Sequence, residues 1–218
     1  EAEEDYKKAI SINPNYPEAR RWYSHLLMLL GRHQEAHQQI DVGIELKPTS
    51  PIMYFGKAVI YLREPNFHAA KALGNKMISL DPSYVMGLGI LAQSEYGLGN
   101  FDESLRLANE GLQKFNNYPM YMTSKMRALR ELGRLEDVRR VRDDLFKRKE
   151  SDLVPSLILA RGEYYSGNMD AAILELEQSL EDRDIEWFPL DPRKEFEELI
   201  GNPRFDAIWK KVGLPDLK

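Results

Sequence analysis

Between Ser24 and Pro48 the chain reads SHLLMLLGRHQEAHQQIDVGIELKP. Leu26, Leu27 and Leu30 follow helical spacing, and Ala36, Ile40 and Ile44 resume it beyond Gly31. Glycine at 31 gives the backbone freedom, often with positive φ, where the first helix ends. The small Ala36 lets a second helix approach the first closely. Pro48 then stops that helix, because proline lacks the N–H and clashes with the preceding turn. The stretch predicts a helical hairpin.

Working outward, every mark recurs at 34 residues. Small residues stand at Ala2, Ala36, Ala70, Ser104, Val138 and Ala172. Turn residues stand at Gly31, Pro65, Gly99, Gly133 and Gly167. Pro14, Pro48, Pro82 and Asn116 form a third series. Ile10, Ile44, Ile78, Leu112, Phe146 and Leu180 form a fourth, expected to line the core. Phe67, Phe101, Leu135 and Met169 are expected to cover the hairpin turns. Four series in one register mark a stacked repeat.

The pattern Ser24…Gly31…Ala36…Ile40…Gly43…Pro48 resembles the tetratricopeptide repeat, over residues 1–182. The resemblance implies an all-α fold, a right-handed superhelix (α-solenoid) of about five and a half hairpins with C-terminal capping helices. Residues 1–14 would be the second helix of a repeat, with hairpins at 17–48, 51–82, 85–116, 119–150 and 153–182, and a cap at 183–218. The aromatic near the start of each first helix is met only in part, by Trp22 and Tyr54, and Pro65 replaces a glycine. Hairpin 119–150 diverges, with Val138 and Arg142 where small and bulky apolar residues are usual. A repeat cannot bury its apolar face alone, so the orphan first helix points to a natural protein that continues upstream.

Composition narrows the function. A net charge of -5 argues against a nucleic-acid-binding surface, which needs a concentrated basic face. Residues 116–150 carry 10 Lys/Arg against 6 Asp/Glu, and residues 151–218 carry 8 against 15, a polarity that can orient a partner. Without cysteine there is neither a disulfide framework nor a thiolate metal site. No apolar run reaches the ~18 residues of a membrane span, and no signal peptide is visible, so no membrane contact is expected here.

Candidate chemistry is sparse. His33 and His37 lie four apart, but a metalloprotease helix needs its Glu directly after the first His, and Glu35 is two residues on. Both histidines are expected to face solvent, with His33 on the turn before the helix. Gly87-Leu88-Gly89 and Gly97-Leu98-Gly99 follow no strand and end in no Lys-Ser/Thr, so they read as packing glycines rather than phosphate loops. Asp143-Asp144 and Glu197-Glu198 read as solvated faces. No cofactor, metal or catalytic residue is assigned.

The repeat resemblance also implies which residues point into a concave groove. They are Arg21, His25 and Met28; Phe55, Val59 and Leu62; Gln93 and Tyr96, flanked by Met86 and Gly89; Arg127 and Arg130, beside Thr123; and Arg161 and Tyr164, beside Leu157 and Tyr165. Aromatic and Met side chains suit adaptable peptide binding, and Arg127, Arg130 and Arg161 could take ligand carboxylates. The Lys/Asn clamp of co-chaperone repeats would fall at Arg21 and His25, with a further Asn at Gly56, so that clamp is absent.

After residue 182 the period is lost. Glu186 to Pro192 reads as a loop with an apolar plug, with short helices expected at 193–200 and 203–212. Asn202 and Pro203 read as the N-cap and first position of the last helix. Phe196, Leu199, Ile200, Phe205, Ile208 and Trp209 are expected to cover the fifth hairpin. Leu190-Asp191-Pro192…Phe196…Leu199…Asn202-Pro203-Arg204-Phe205…Gly213-Leu214-Pro215 resembles the ending of bacterial repeat proteins that carry a cyclase domain or a winged-helix regulator upstream. That resemblance implies the docking or sensing part of a larger bacterial signalling protein. It implies a cytoplasmic setting with a cyclase, or a periplasmic one with a membrane-anchored regulator. The expected partner is a protein or peptide; the alternatives are a homodimer that pairs two effector domains and, less favoured, a small-ligand sensor.

Overall fold

The structure is a computed structural model that describes residues 1–116, 118–149, 154–183 and 195–213. The loop expected at 186–192 lies outside the described residues. Those described form twelve α-helices and a 3-10 turn, Glu197–Leu199, with no strand among them. The helices are α1 Ala2–Ile12, α2 Pro17–Leu29, α3 His33–Leu46, α4 Pro51–Arg63, α5 Phe67–Leu80 and α6 Met86–Gly97, followed by α7 Phe101–Lys114, α8 Pro119–Glu131, α9 Leu135–Lys149, α10 Ser156–Tyr165, α11 Met169–Asp182 and α12 Pro203–Val212. They divide into two compact units, Glu1–Ile90 and Leu91–Gly213, with the division falling inside α6.

Local chemistry sets the helix ends. Pro17, Pro51 and Pro119 occupy the first helical turn, where a missing N–H costs nothing. At the hairpin turns Gly31, Gly99, Gly133 and Gly167 take φ of 75°, 79°, 70° and 87°. Their N–H groups donate to the carbonyls of Met28, Tyr96, Arg130 and Tyr164, each at 3.0 Å. These bonds satisfy carbonyls that a helix end otherwise leaves open. Pro65 sits at the same turn position with φ 22° and has no N–H to give.

In the first unit α2 packs on α3, α4 on α5 and α3 on α4. Helix α1 buries no residue, yet it is tied to α2 and to the turn before α3 through polar contacts. Glu3 accepts from Tyr23 Oη (2.9 Å) and from Arg32 Nη1 (2.8 Å), and pairs with Lys7 (2.8 Å). Hydrogen bonds from Lys7, Arg32 and Tyr23 pull its carboxyl down to about 2. Tyr6 stacks on Tyr23 with centroids 6.1 Å apart.

In the second unit α7 packs on α8, α8 on α9, α10 on α11, and α11 on α12. Its core joins α7–α11 to the tail, with Phe196, Leu199, Phe205 and Ile208 buried in it. Asn202 caps α12 by accepting from Arg204 N at 3.0 Å, and Gly213 ends it with φ 70°. The described residues of the tail motif thus have a packing role. Ile200 departs from its expected cover: it is 60% exposed, because it follows the 3-10 turn with extended backbone. Trp209 is half-buried.

The core series needs a correction. The small residues Ala36, Ala70, Ser104, Val138 and Ala172 are buried as expected. Ile44, Ile78, Leu112, Phe146 and Leu180 are only half-buried, and the buried series lies one residue earlier, at Gly43, Met77, Gly111, Leu145 and Ser179. Two of those positions are glycines, and at Gly111 the next first helix fills the space a side chain would take. A Cβ on Gly111 would lie 2.2 Å from the Tyr121 ring, which is fully buried and stacked on Phe115. At Gly43 the nearest atom is Met53 Sδ, 3.4 Å away. Leu135 is exposed instead of covering its turn, and half-buried Arg142 answers Glu163 at 3.3 Å.

Two outcomes follow for thermal or urea unfolding. Gly111→Ala should lose about 1–3 kcal/mol by overpacking against Tyr121, whereas Gly43→Ala should gain up to about 1 kcal/mol in helix propensity. Similar effects at both sites would contradict the packing described. Pro65→Gly should stabilise by about 1 kcal/mol or more, since it relieves a φ that the proline ring resists and restores a turn N–H. A lower midpoint for Pro65→Gly would refute that strain.

Candidate binding faces

The face expected in the first unit is built around Arg21 on α2. Although its side chain is long and charged, Arg21 is 4% exposed. Gly56 on α4 makes room for it: a Cβ there would lie 3.1 Å from Arg21 Cγ and 2.9 Å from Ile40 Cδ1. The guanidinium lies 4.0 Å from the Trp22 ring centroid. Its Nε and Nη1 have no hydrogen-bond partner among the described residues. Burial pulls the Arg21 pKa below its usual value, opposed by Tyr84 and Glu18. Burial likewise pushes the Tyr84 hydroxyl up to about 12.

His25, one turn on, meets Trp22 edge-on at 5.7 Å, and its Nε2 also lacks a partner among the described residues. Burial, and then the Arg21 charge, bring the imidazole down to about 4, so it stays neutral at pH 7. Its unprotonated nitrogen can accept, while Arg21 can only donate. Met28, Phe55, Val59 and Leu62 are buried in the chain itself, as packed side chains rather than an open apolar floor. The legible signal for Arg21 was its groove position. Its burial depends on Gly56, 35 residues away, which periodicity does not flag.

The residues expected in the second unit are engaged differently. Arg127 lies 3.7 Å from the Tyr96 ring centroid, and Tyr96 Oη donates to Glu131 at 2.6 Å. Gln93 is half-buried with its Oε1 unpaired among the described residues. Arg130 Nη1 donates to the Tyr164 carbonyl (2.8 Å), and its Nη2 to Glu198 (2.5 Å). Arg161 donates to both oxygens of Glu195, at 2.8 and 3.0 Å, and Tyr165 Oη donates to the same carboxylate at 2.8 Å. Burial alone would raise the Glu195 carboxyl; Arg161 and then Arg127 outweigh it and hold the group below its usual value. Tyr164 meets Phe196 edge-on at 5.0 Å. Arg130 and Arg161 therefore hold carboxylates of this chain, where the sequence reading left them for a ligand.

The two histidines also depart from expectation. His33 is the first residue of α3, and both side chains are partly buried against Glu64 at the end of α4. His37 Nε2 lies 2.9 Å from Glu64, and His33 Nδ1 3.7 Å. Glu35 points elsewhere, to Arg32. Among the described residues there is no group of three or more His, Cys, Asp or Glu side chains arranged to hold a metal ion. None of the described helices is long and apolar enough to cross a membrane. Gly87 is a close-packing glycine, with Ile78 Cγ1 2.7 Å from where its Cβ would be.

With this geometry in place, the comparisons agree on the architecture. Residues 1–55 match the sequence profile of the tetratricopeptide repeat. Human tetratricopeptide repeat protein 6 is 34% identical over 70 residues, which is 32% of this chain and 14% of the human protein. A thermophilic tetratricopeptide protein of Thermus thermophilus shares the fold at 15% identity and a TM-score of 0.62, over 91% of this chain and all of that one. A tetratricopeptide repeat protein from Parabacteroides merdae does so at 15% and 0.65, over 95% of this chain and 74% of that one. YrrB, a repeat protein with an unusual peptide-binding site, matches at 15% and 0.50, over 83% and 93%. At such identities the solved structures speak to the fold alone, and the fold of this chain is that of a tetratricopeptide repeat array, whose residues 1–55 carry the sequence of the repeat itself.

Proposed function

We propose that this chain is a non-catalytic peptide-binding scaffold, and that its anchor is the buried Arg21 of the first unit. The observation that carries the reading is a buried guanidinium with two nitrogens unpaired among the described residues. Leaving a buried charge uncompensated is costly, and such a group persists where something outside the chain completes it. A carboxylate suits Arg21, because a charged acceptor makes the strong, charge-assisted hydrogen bonds a buried guanidinium lacks. His25 Nε2 accepts an N–H from the same ligand, and Trp22 lies against the rim. An extended segment with a free carboxylate and a neighbouring amide meets all three. Similarity to YrrB, a repeat protein with a peptide-binding site, supports the class of ligand.

The wider setting we infer is the docking part of a larger bacterial signalling or regulatory protein. It rests on the tail motif, of which residues 190–192 and 214–215 lie outside the described residues. Pairing of two chains is the alternative drawn from that motif. The Arg21 environment favours peptide docking, since it is unfilled within one chain.

Arg21→Leu separates binding from stability. The variant should melt at the same temperature or higher, by about 1–3 kcal/mol of stability, because it removes an unpaired buried charge. It should also bind short aromatic peptides with a free C-terminal carboxylate at least about tenfold more weakly than the wild type, a difference of about 1.4 kcal/mol. Amidating the peptide should weaken wild-type binding to the same extent and leave the variant unchanged. Fluorescence polarisation reads the affinities. Equal binding by both chains, or a destabilised variant, would refute the anchor.

A further inference from the structure

Capping the end of a repeat stack requires apolar cover, and Phe196, Leu199, Phe205 and Ile208 supply it. The same tail brings polar chemistry that capping does not need. Glu195 has a side chain only 5% exposed and is held by the two-pronged Arg161 fork and the Tyr165 hydroxyl. One residue on, fully buried Phe196 inserts against Tyr164. Two further on, Glu198 meets Arg130 at 2.5 Å. A carboxylate in a fork, an aromatic ring in a pocket and a second carboxylate on another arginine are the elements by which a protein reads an acidic peptide. A buried ion pair adds little stability over apolar packing of the same volume, so capping alone does not call for the Arg161–Glu195 fork.

We propose that Glu195–Glu198 is a resident ligand of the α8–α10 face: an intramolecular acidic–aromatic segment that keeps the face closed to partner segments of the same Glu-Phe-x-Glu chemistry. The inference rests on the reading of the chain as a peptide binder, applied to a second face. The arginines of α8 and α10 recognise the order carboxylate, aromatic, carboxylate. A partner segment with that order must displace the chain's own.

The test uses the full chain with Glu195→Gln and Glu198→Gln together, substitutions that keep side-chain size and remove both charges. The probe is an acetylated, fluorescein-labelled hexapeptide of the sequence of residues 195–200, EFEELI. The double variant should bind it at least about tenfold more tightly than the wild-type chain, which must first release its own segment. A QFEELI control should lose that gain, and adding Arg161→Leu to the variant should abolish it. Equal affinity for variant and wild type, or no preference for EFEELI over QFEELI, overturns the inference. If the double variant loses helical circular dichroism, Glu198→Gln alone takes its place, with a gain of about threefold expected and no gain overturning the inference. Peptide binding that depends on Arg21, measured in the same samples, shows whether a failure concerns this face alone or the peptide-binding reading as a whole.

Discussion

Everything in this chain depends on how closely two helices can approach at each hairpin and between hairpins. The distance is set by residues with almost no side chain. Ala36, Ala70 and Ala172 sit fully buried at the crossing within their hairpins, and Ser104 adds a hydrogen bond from its hydroxyl to the Ala92 carbonyl at 2.8 Å. Gly111 does the same between hairpins, where the Tyr121 ring of the next helix fills the space beside it. Interiors packed to crystal-like density leave no room for error at such contacts. The polar side chains of the faces are placed by the same constraint: Arg21 can lie buried because Gly56 beside it has no Cβ.

The two units use arginine in opposite ways. Arg21 is buried with Nε and Nη1 unpaired among the described residues, whereas Arg161 is buried with its Nε and Nη2 spent on Glu195. Both are desolvated, so the contrast lies in partner supply. In the second unit the tail brings the carboxylate, and the pair becomes part of the core cover around Phe196. One unit thus leaves arginine nitrogens unpaired among the described residues, while in the other the tail supplies their partner.

Much of this was legible in the sequence, for reasons that differ by element. The 34-residue period and the turn glycines were readable because positive φ selects glycine, and four of those turns show it. The buried core register lies one residue before the hydrophobic series. Hydrophobicity points to Ile44 and Ile78, but the most buried positions include Gly43, Gly111 and Ser179, which carry no hydrophobic signal. The arginines were placed on the right helices, yet their partners were not readable: Glu195 lies 34 residues from Arg161, in a segment where the period has ended. The partial burial of His33 and His37 is not legible in the sequence, because Glu64, 27 residues beyond His37, belongs to another hairpin.

Arg21 has Nε and Nη1 unpaired among the described residues, while Arg161 spends its Nε and Nη2 on Glu195. Arginine Nε–Hε resonances report this directly, through two-dimensional NMR of the full chain titrated with a short aromatic peptide bearing a free carboxylate. The Arg21 resonance should move with saturation while the Arg161 resonance stays fixed. Movement of Arg161 at the same peptide concentration, or an unmoved Arg21, would contradict the assignment of an open and a self-filled face.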